Sequence, residues 1–340
     1  MLPDWPRALG VPQATGRLRS CREDFEVEEL FELEFSNDGE FDWLWVEKSG
    51  DNTDYVARRL AEMAGVSLRA VTYSGLKDRH ALTRQWFCVH LPGKTGRNWD
   101  DSAEQSADSR WQVLRWGRHR QKLRPGSHRG NRFVLTLREV VGDREELENR
   151  LEQLSAGFPN YFGEQRFGIG GDNLTACRQW FAGELRPQRF QRGIYLSSAR
   201  SYLFNEVLAA RLRAGNWVTA LSGELFSLRD SGSVFAADAD SVIARRLLEG
   251  DIHPSGPLYG SAGRHSVSAD VAALEEAVFS ANEDFCAGLR RHAMKMERRS
   301  LRVIPQQLRW QWLAEDTLQL QFSLPRGCFA TALVREFINA

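Results

Sequence analysis

Three things are missing from this chain, and each absence removes a class of function. No apolar run approaches the length that spans a bilayer, and Met1-Leu2-Pro3-Asp4-Trp5-Pro6 lacks the basic-then-apolar pattern of a secretion signal, so a cytoplasmic protein with no membrane partner is expected. Cysteine is scarce: Cys21, Cys88, Cys177, Cys286 and Cys328 are odd in number and far apart, with no C-x-x-C or Cys/His spacing. Free thiols in a reducing compartment and no metal site follow, and His90, His253 and His292 add no ligand-like spacing. No P-loop, no pair of metal-binding carboxylates and no Ser/His/Asp pattern is present, which argues against phosphoryl transfer and hydrolysis. The G-x-G-G at Gly168 to Gly171 follows no strand, so it is not read as a dinucleotide loop.

Charge of either sign is also lacking in the sum, since 45 Lys and Arg face 45 Asp and Glu. A zero balance argues against binding nucleic acid by bulk charge but says nothing about distribution. From Glu23 to Glu47 there are eleven acids and no Lys or Arg; from Arg110 to Arg138 there are nine bases and no acid. The acids alternate with Phe25, Val27, Phe31, Leu33 and Phe35, as on the solvated face of a strand. With Asn37-Asp38-Gly39 as a turn and Phe41 to Val46 as the return, an antiparallel hairpin is predicted. In the basic run, Trp111, Trp116, His119 and His128 are interleaved with Arg118, Arg120, Lys122 and Arg124. Cations for phosphates and planar groups for bases, with no acid between them, point to RNA.

At 340 residues, 42% of them hydrophobic, two cores are affordable. The texture is strand-rich, then helix-rich, then strand-rich again. A sheet domain of residues 1–156 and 304–340, interrupted by a helical domain of 157–303, is the reading. Helices are expected from Asn52 to Gly65, Asp143 to Ala156, Ser198 to Ala214, Asp240 to Leu248, Ala269 to Glu297 and at the C-terminus. Between strand-like Val71 to Tyr73 and Gln85 to Leu91 lies a polar loop with Asp78 at its centre, among Lys77, Arg79 and His80. Cations beside a carboxylate keep it ionised, as nucleophilic or base chemistry requires, although a solvated turn is the commoner use of such a triplet.

Gly75-Leu76-Lys77-Asp78-Arg79-His80-Ala81-Leu82-Thr83-Arg84-Gln85 resembles the G-x-K-D-x-x-A-x-T-x-Q signature of the TruD family of tRNA pseudouridine synthases. Further blocks agree in order: Glu23 to Glu29, Lys122-Leu123-Arg124, Gly130-Asn131-Arg132-Phe133, Pro159 to Gly168 and Leu324 to Thr331. The resemblance implies an α+β protein, a pseudouridine synthase fold of mixed, mainly antiparallel sheet with helices, interrupted by that family's insertion domain. It implies conversion of uridine 13 of tRNA, glutamate tRNA in particular, to pseudouridine, a reaction that needs no cofactor, and a monomer is expected. It makes Asp78 catalytic, Phe25, Asn131 and Phe329 substrate-contacting, and Phe133 a neighbouring wall. The basic partner of the aspartate is expected just before the Asp24-Phe25 block, where Arg19 is chosen over Arg17 and Arg22. Lys77, Arg79, Arg118, Arg120, Lys122 and Arg124 are assigned to the RNA backbone. Breaking and remaking a glycosidic bond within one nucleotide asks for a carboxylate, a fixed cation and a stacking pocket, and these residue types supply them. An RNA-binding protein in which catalysis is secondary is the competing reading.

Overall fold

Apolar residues at every second position make the first part of the chain a succession of strands. The computed structural model describes residues 2–229, 231–261 and 263–340. Its strands begin with β1 (Thr15–Leu18), β2 (Phe25–Leu30), β3 (Phe41–Ser49), β4 (Val71–Tyr73), β5 (Leu82–His90), β6 (Ala103–Gln105), β7 (Arg110–His119) and β8 (Gly130–Val141). Helix α1 (Thr53–Ala64) interrupts them, buries Val56, Ala57, Leu60 and Ala61, and stops at Gly65, whose φ of 61° suits glycine. There follow α2 (Arg144–Leu154), β9 (Phe158–Pro159), α3 (Asp172–Ala182), α4 (Arg189–Arg213), β10 (Leu225–Leu228), β11 (Val234–Ala236) and α5 (Ser241–Glu249). Next come β12 (Ile252–Leu258), α6 (Ala269–Ser280), α7 (Glu283–Arg291), β13 (Glu297–Ser300) and β14 (Arg302–Val303). Strands β15 (Gln306–Ala314) and β16 (Thr317–Pro325) precede the last helix, α8 (Ala330–Phe337).

The chain divides into two units. One comprises residues 13–143, 305–327 and 339–340; the other comprises 2–12, 144–304 and 328–338. The first is a ten-stranded sheet in the order β15-β16-β8-β2-β5-β3-β7-β6, with β1 on β8 and β4 on β5. Its pairings are antiparallel except β2 with β5, where Glu26 lies opposite Leu82. The predicted hairpin of β2 and β3 is therefore corrected, because β5 lies between them. Trp86 and Cys88 of β5 pack with Trp43, Phe31 and Leu33, so the alternation marked the buried face and not the partner.

The second unit holds the other helices, an antiparallel sheet in the order β11-β10-β12-β13 and the short pair β9 with β14. Helix α2, expected with the sheet domain, belongs here: Arg150 donates to the Glu336 carbonyl of α8 at 3.1 Å. The single helix expected from Ala269 to Glu297 is instead α6, α7 and the start of β13.

Candidate active site

Residues 74–81 connect β4 to β5, and their backbone is anchored at several points. The Gln85 amide donates to the Gly75 carbonyl at 2.9 Å, the Lys77 amide donates to Thr53 Oγ1 at 3.1 Å, and the Gly50 amide donates to the Arg79 carbonyl at 2.9 Å. A functional group on such a loop is both accessible and held. Asp78 Oδ1 accepts the His80 amide at 2.9 Å. Its other oxygen faces Arg19 Nη2 at 3.1 Å, with the two side chains 32% and 29% exposed. The Arg19 chosen from sequence thus meets Asp78 across the sheet unit.

Arg19 has φ of 68°, a left-handed conformation uncommon for a residue with a Cβ. Its guanidinium lies over the Phe25 ring at 4.2 Å, a cation–π contact that fixes the planar group. Phe25 meets Phe133 edge-on at 6.3 Å, and Phe133 stacks on Phe322 at 5.4 Å. Asn131 is on β8, two residues before Phe133. Arg19 Nε and Asn131 Oδ1 are buried without a hydrogen-bond partner, one open donor and one open acceptor. An open cleft of about 560 Å³ is lined by Arg19, Arg22, Ser49, His80, Ser109 and Arg110, among others.

Two residues that sequence reasoning undervalued lie beneath the loop. Lys48, fully buried, donates from Nζ to the carbonyls of Asp51 (3.0 Å), Asp78 (3.3 Å) and Lys77 (3.4 Å). Burial pulls its pKa down to about 8, against the pull of Asp78 and Asp51. Glu29, fully buried, accepts Lys77 Nζ at 2.7 Å, the Trp86 amide at 3.0 Å and the Ser74 hydroxyl. That corrects the assignment of Lys77 to the RNA backbone: its side chain is 6% exposed and held inward by a buried carboxylate.

The other cations proposed for RNA divide. Arg79, Lys122 and Arg124 are exposed. Arg118 instead pairs with buried Asp42 at 2.8 Å, and Arg120 pairs with Asp38 at 2.6 Å. The basic run is compensated in part, because β7 pairs with β3 and β8 with β2. Arg110 with Glu23, Arg129 with Glu32 and Arg138 with Asp24 bring the ion-paired bases to five of the nine. Phe329 belongs to the helix-rich unit, where it caps the start of α8 and meets Phe162 edge-on at 5.7 Å.

The fold is that of a crystal structure from Methanosarcina mazei assigned as tRNA pseudouridine synthase D. The TM-score is 0.72, with 97% of this chain and 95% of that one covered at 21% identity. The sequence model of the family described as tRNA pseudouridine synthase D (TruD) matches residues 7–173 and 183–337. Curated tRNA pseudouridine synthase D proteins are similar along almost the whole chain. That of Pseudomonas syringae pv. tomato is 47% identical over 98% of this chain and 94% of its own. That of Stutzerimonas stutzeri is 45% identical over 98% of this chain and 96% of its own. The chain belongs to the tRNA pseudouridine synthase D family.

Proposed function

We propose that this protein is a tRNA pseudouridine synthase that isomerises uridine 13 of tRNA, glutamate tRNA in particular. The observation that carries the reading is the Asp78–Arg19 pair at 3.1 Å, with the Phe25 ring against the Arg19 guanidinium. In the reaction the C1'–N1 bond breaks, the uracil turns, C5 bonds to C1', and the proton lost from C5 is balanced by one gained at N1. Neither redox equivalents nor a co-reactant enter. Asp78 supplies the carboxylate beside the sugar, whether at C1', at C6 or at the 2' proton. Arg19 fixes its orientation, and Phe25, with Phe133 behind it, offers the base a face. Asn131 Oδ1 is free to accept an N–H of the uracil. Phe329 is given a substrate contact by its sequence block alone.

A uridine inside folded RNA must be flipped out, at a cost of a few kcal/mol. Stacking returns about 1–3 kcal/mol per base, and phosphate contacts from Arg79, Lys122 and Arg124 add to it. The sheet unit is assigned catalysis and the helix-rich unit the role of the insertion domain. Action as a cytoplasmic monomer belongs to the same reading. The test is Asp78→Asn: pseudouridine formation in tRNA disappears while tRNA affinity stays within about threefold, since one uncharged isostere replaces a group that touches no phosphate. A variant that still modifies tRNA refutes the assignment.

A further inference from the structure

Two guanidiniums of the helix-rich unit are partly buried, each with a buried Nε, and no acid among the described residues pairs with them. Arg166 lies in the connection after β9, and Arg299 is on β13. Their Cζ atoms stand 5.7 and 4.2 Å from the centroid of one ring, Phe162, and Arg166 is also 5.7 Å from the ring of Phe329. Neither makes an ion pair among the described residues. Arg166 Nη1 donates to Ser197 Oγ at 3.2 Å, and Arg299 Nη2 donates to the Asn160 carbonyl at 3.4 Å and to its side-chain oxygen. The Nε of each is buried without a partner. Burial lowers the pKa of both, and for Arg299 the charge of Arg166 adds to it. The thiol nearest Arg299, Cys328, is pushed up by burial and stays protonated, so it supplies no counter-charge.

A further donor lies at the same place. Thr331 Oγ1 is buried without a partner. It sits so close to Gly163 that a Cβ there would come within 2.8 Å of it and 3.2 Å of the Phe329 ring. Thr331 is the second residue of α8, whose N-cap, Phe329, provides no side-chain hydrogen bond and whose first turn holds no acid. The positive end of that helix is uncompensated as well. Partly buried charges and buried donors without partners are costly, and a ligand carrying acceptor oxygens and negative charge satisfies them together.

We propose that Arg166, Arg299 and Thr331 form a seat for one phosphodiester group of bound RNA. The aromatic rings hold the guanidinium planes while their free N–H groups and the Thr331 hydroxyl meet phosphate oxygens. The inference rests on the reading that RNA is the substrate, and it adds a contact remote in sequence from the basic run.

The test uses the full chain and a labelled, unmodified tRNA transcript titrated across a KCl series. Arg166→Gln and Arg299→Gln each weaken binding about tenfold and reduce the slope of log affinity against log salt by about 1, as the loss of one phosphate contact does. Arg166→Lys restores the slope, and Thr331→Val costs a few fold with the slope unchanged. Unaltered affinity and slope in both glutamine variants overturn the seat. If inorganic phosphate raises the melting temperature of the wild type but not of Arg166→Gln, while tRNA affinity is equal in the two, the site takes a free anion and the RNA assignment falls. Should a glutamine variant fail to fold, Thr331→Val decides, since unaltered tRNA affinity in that variant overturns the seat. Wild-type turnover is measured in parallel. No pseudouridine from the wild type, with lowered slopes in the variants, sinks the activity and leaves the seat standing; turnover with unaltered variant binding does the reverse.

Discussion

Replacing Lys48 by methionine separates the stability of this protein from the placement of its carboxylate. The chain has five lysines, and two of them, Lys48 and Lys77, lie beneath Asp78. A compact ammonium with three donors suits three converging carbonyls in a way a planar guanidinium does not. Burial brings Lys48 from 10.5 to about 8, so its charged form costs about 3 kcal/mol at neutral pH. Methionine removes that cost but leaves three half-buried carbonyls without a donor, each loss worth about 1–3 kcal/mol. The terms oppose each other, about 3–9 kcal/mol lost at the carbonyls against about 3 regained, so stability falls by about 0–6 kcal/mol. Turnover does not share the cancellation, because displacing a reacting group by about 1 Å costs on the order of 100-fold.

The assay is single-turnover release of tritium from C5-labelled uridine in tRNA, followed on both sides of pH 8. The folded pKa of Lys48 lies below that of the unfolded chain. Between about 8 and 10.5 the unfolded chain therefore holds a proton that the folded protein has released, and stability rises with pH through that window. Wild-type turnover moves the other way, falling as pH passes about 8 and the ammonium becomes an amine. Lys48→Met shows a rate at least about tenfold lower, little change in the tRNA concentration needed for half-saturation, and no such limb. A variant with the wild-type rate and the same alkaline limb would show that Lys48 does not position Asp78.

Other perturbations follow from the same contacts. Lys77→Met strands the Glu29 carboxylate in the interior and should cost about 3–5 kcal/mol, read as a lower urea midpoint; Lys77→Met combined with Glu29→Gln should recover part of it. Arg118→Met should lower stability by about 2–3 kcal/mol, since Asp42 keeps only the Trp99 indole and the Arg97 amide. Because that guanidinium is engaged with Asp42, tRNA affinity should stay within about twofold, whereas Arg124→Ala should flatten the salt dependence measurably. Gly163→Ala forces Thr331 or Phe329 to move, so it should slow turnover more than it lowers the melting temperature.

How much of this could be read in advance depended on whether a residue's partner is local. The Asp78 loop was legible because its flanking strands and the Gly65 stop are encoded next to it. The strand that separates β2 from β3 was not, since β5 comes from fifty residues further along and period-two alternation marks a face without naming a neighbour. Strand β12, Ile252-His253-Pro254-Ser255-Gly256-Pro257-Leu258, was hidden by two prolines and a glycine, residues that argue against a strand with neighbours on both sides. Lys48 gave no signal at all, because its partners are backbone carbonyls, two of them contributed by a distant loop.

The charge runs show the same limit in its sharpest form. Nine bases in sequence with no acid among them suggested an unbalanced surface, yet strand pairing lays Arg118 against Asp42 and Arg138 against Asp24. Clustering along the chain measures charge density before folding, whereas affinity for an anion depends on the charge left unpaired after it. By that criterion Arg166 and Arg299, each isolated from the basic run, are stronger candidates for a phosphate than Arg118 or Arg120, because no acid among the described residues pairs with them.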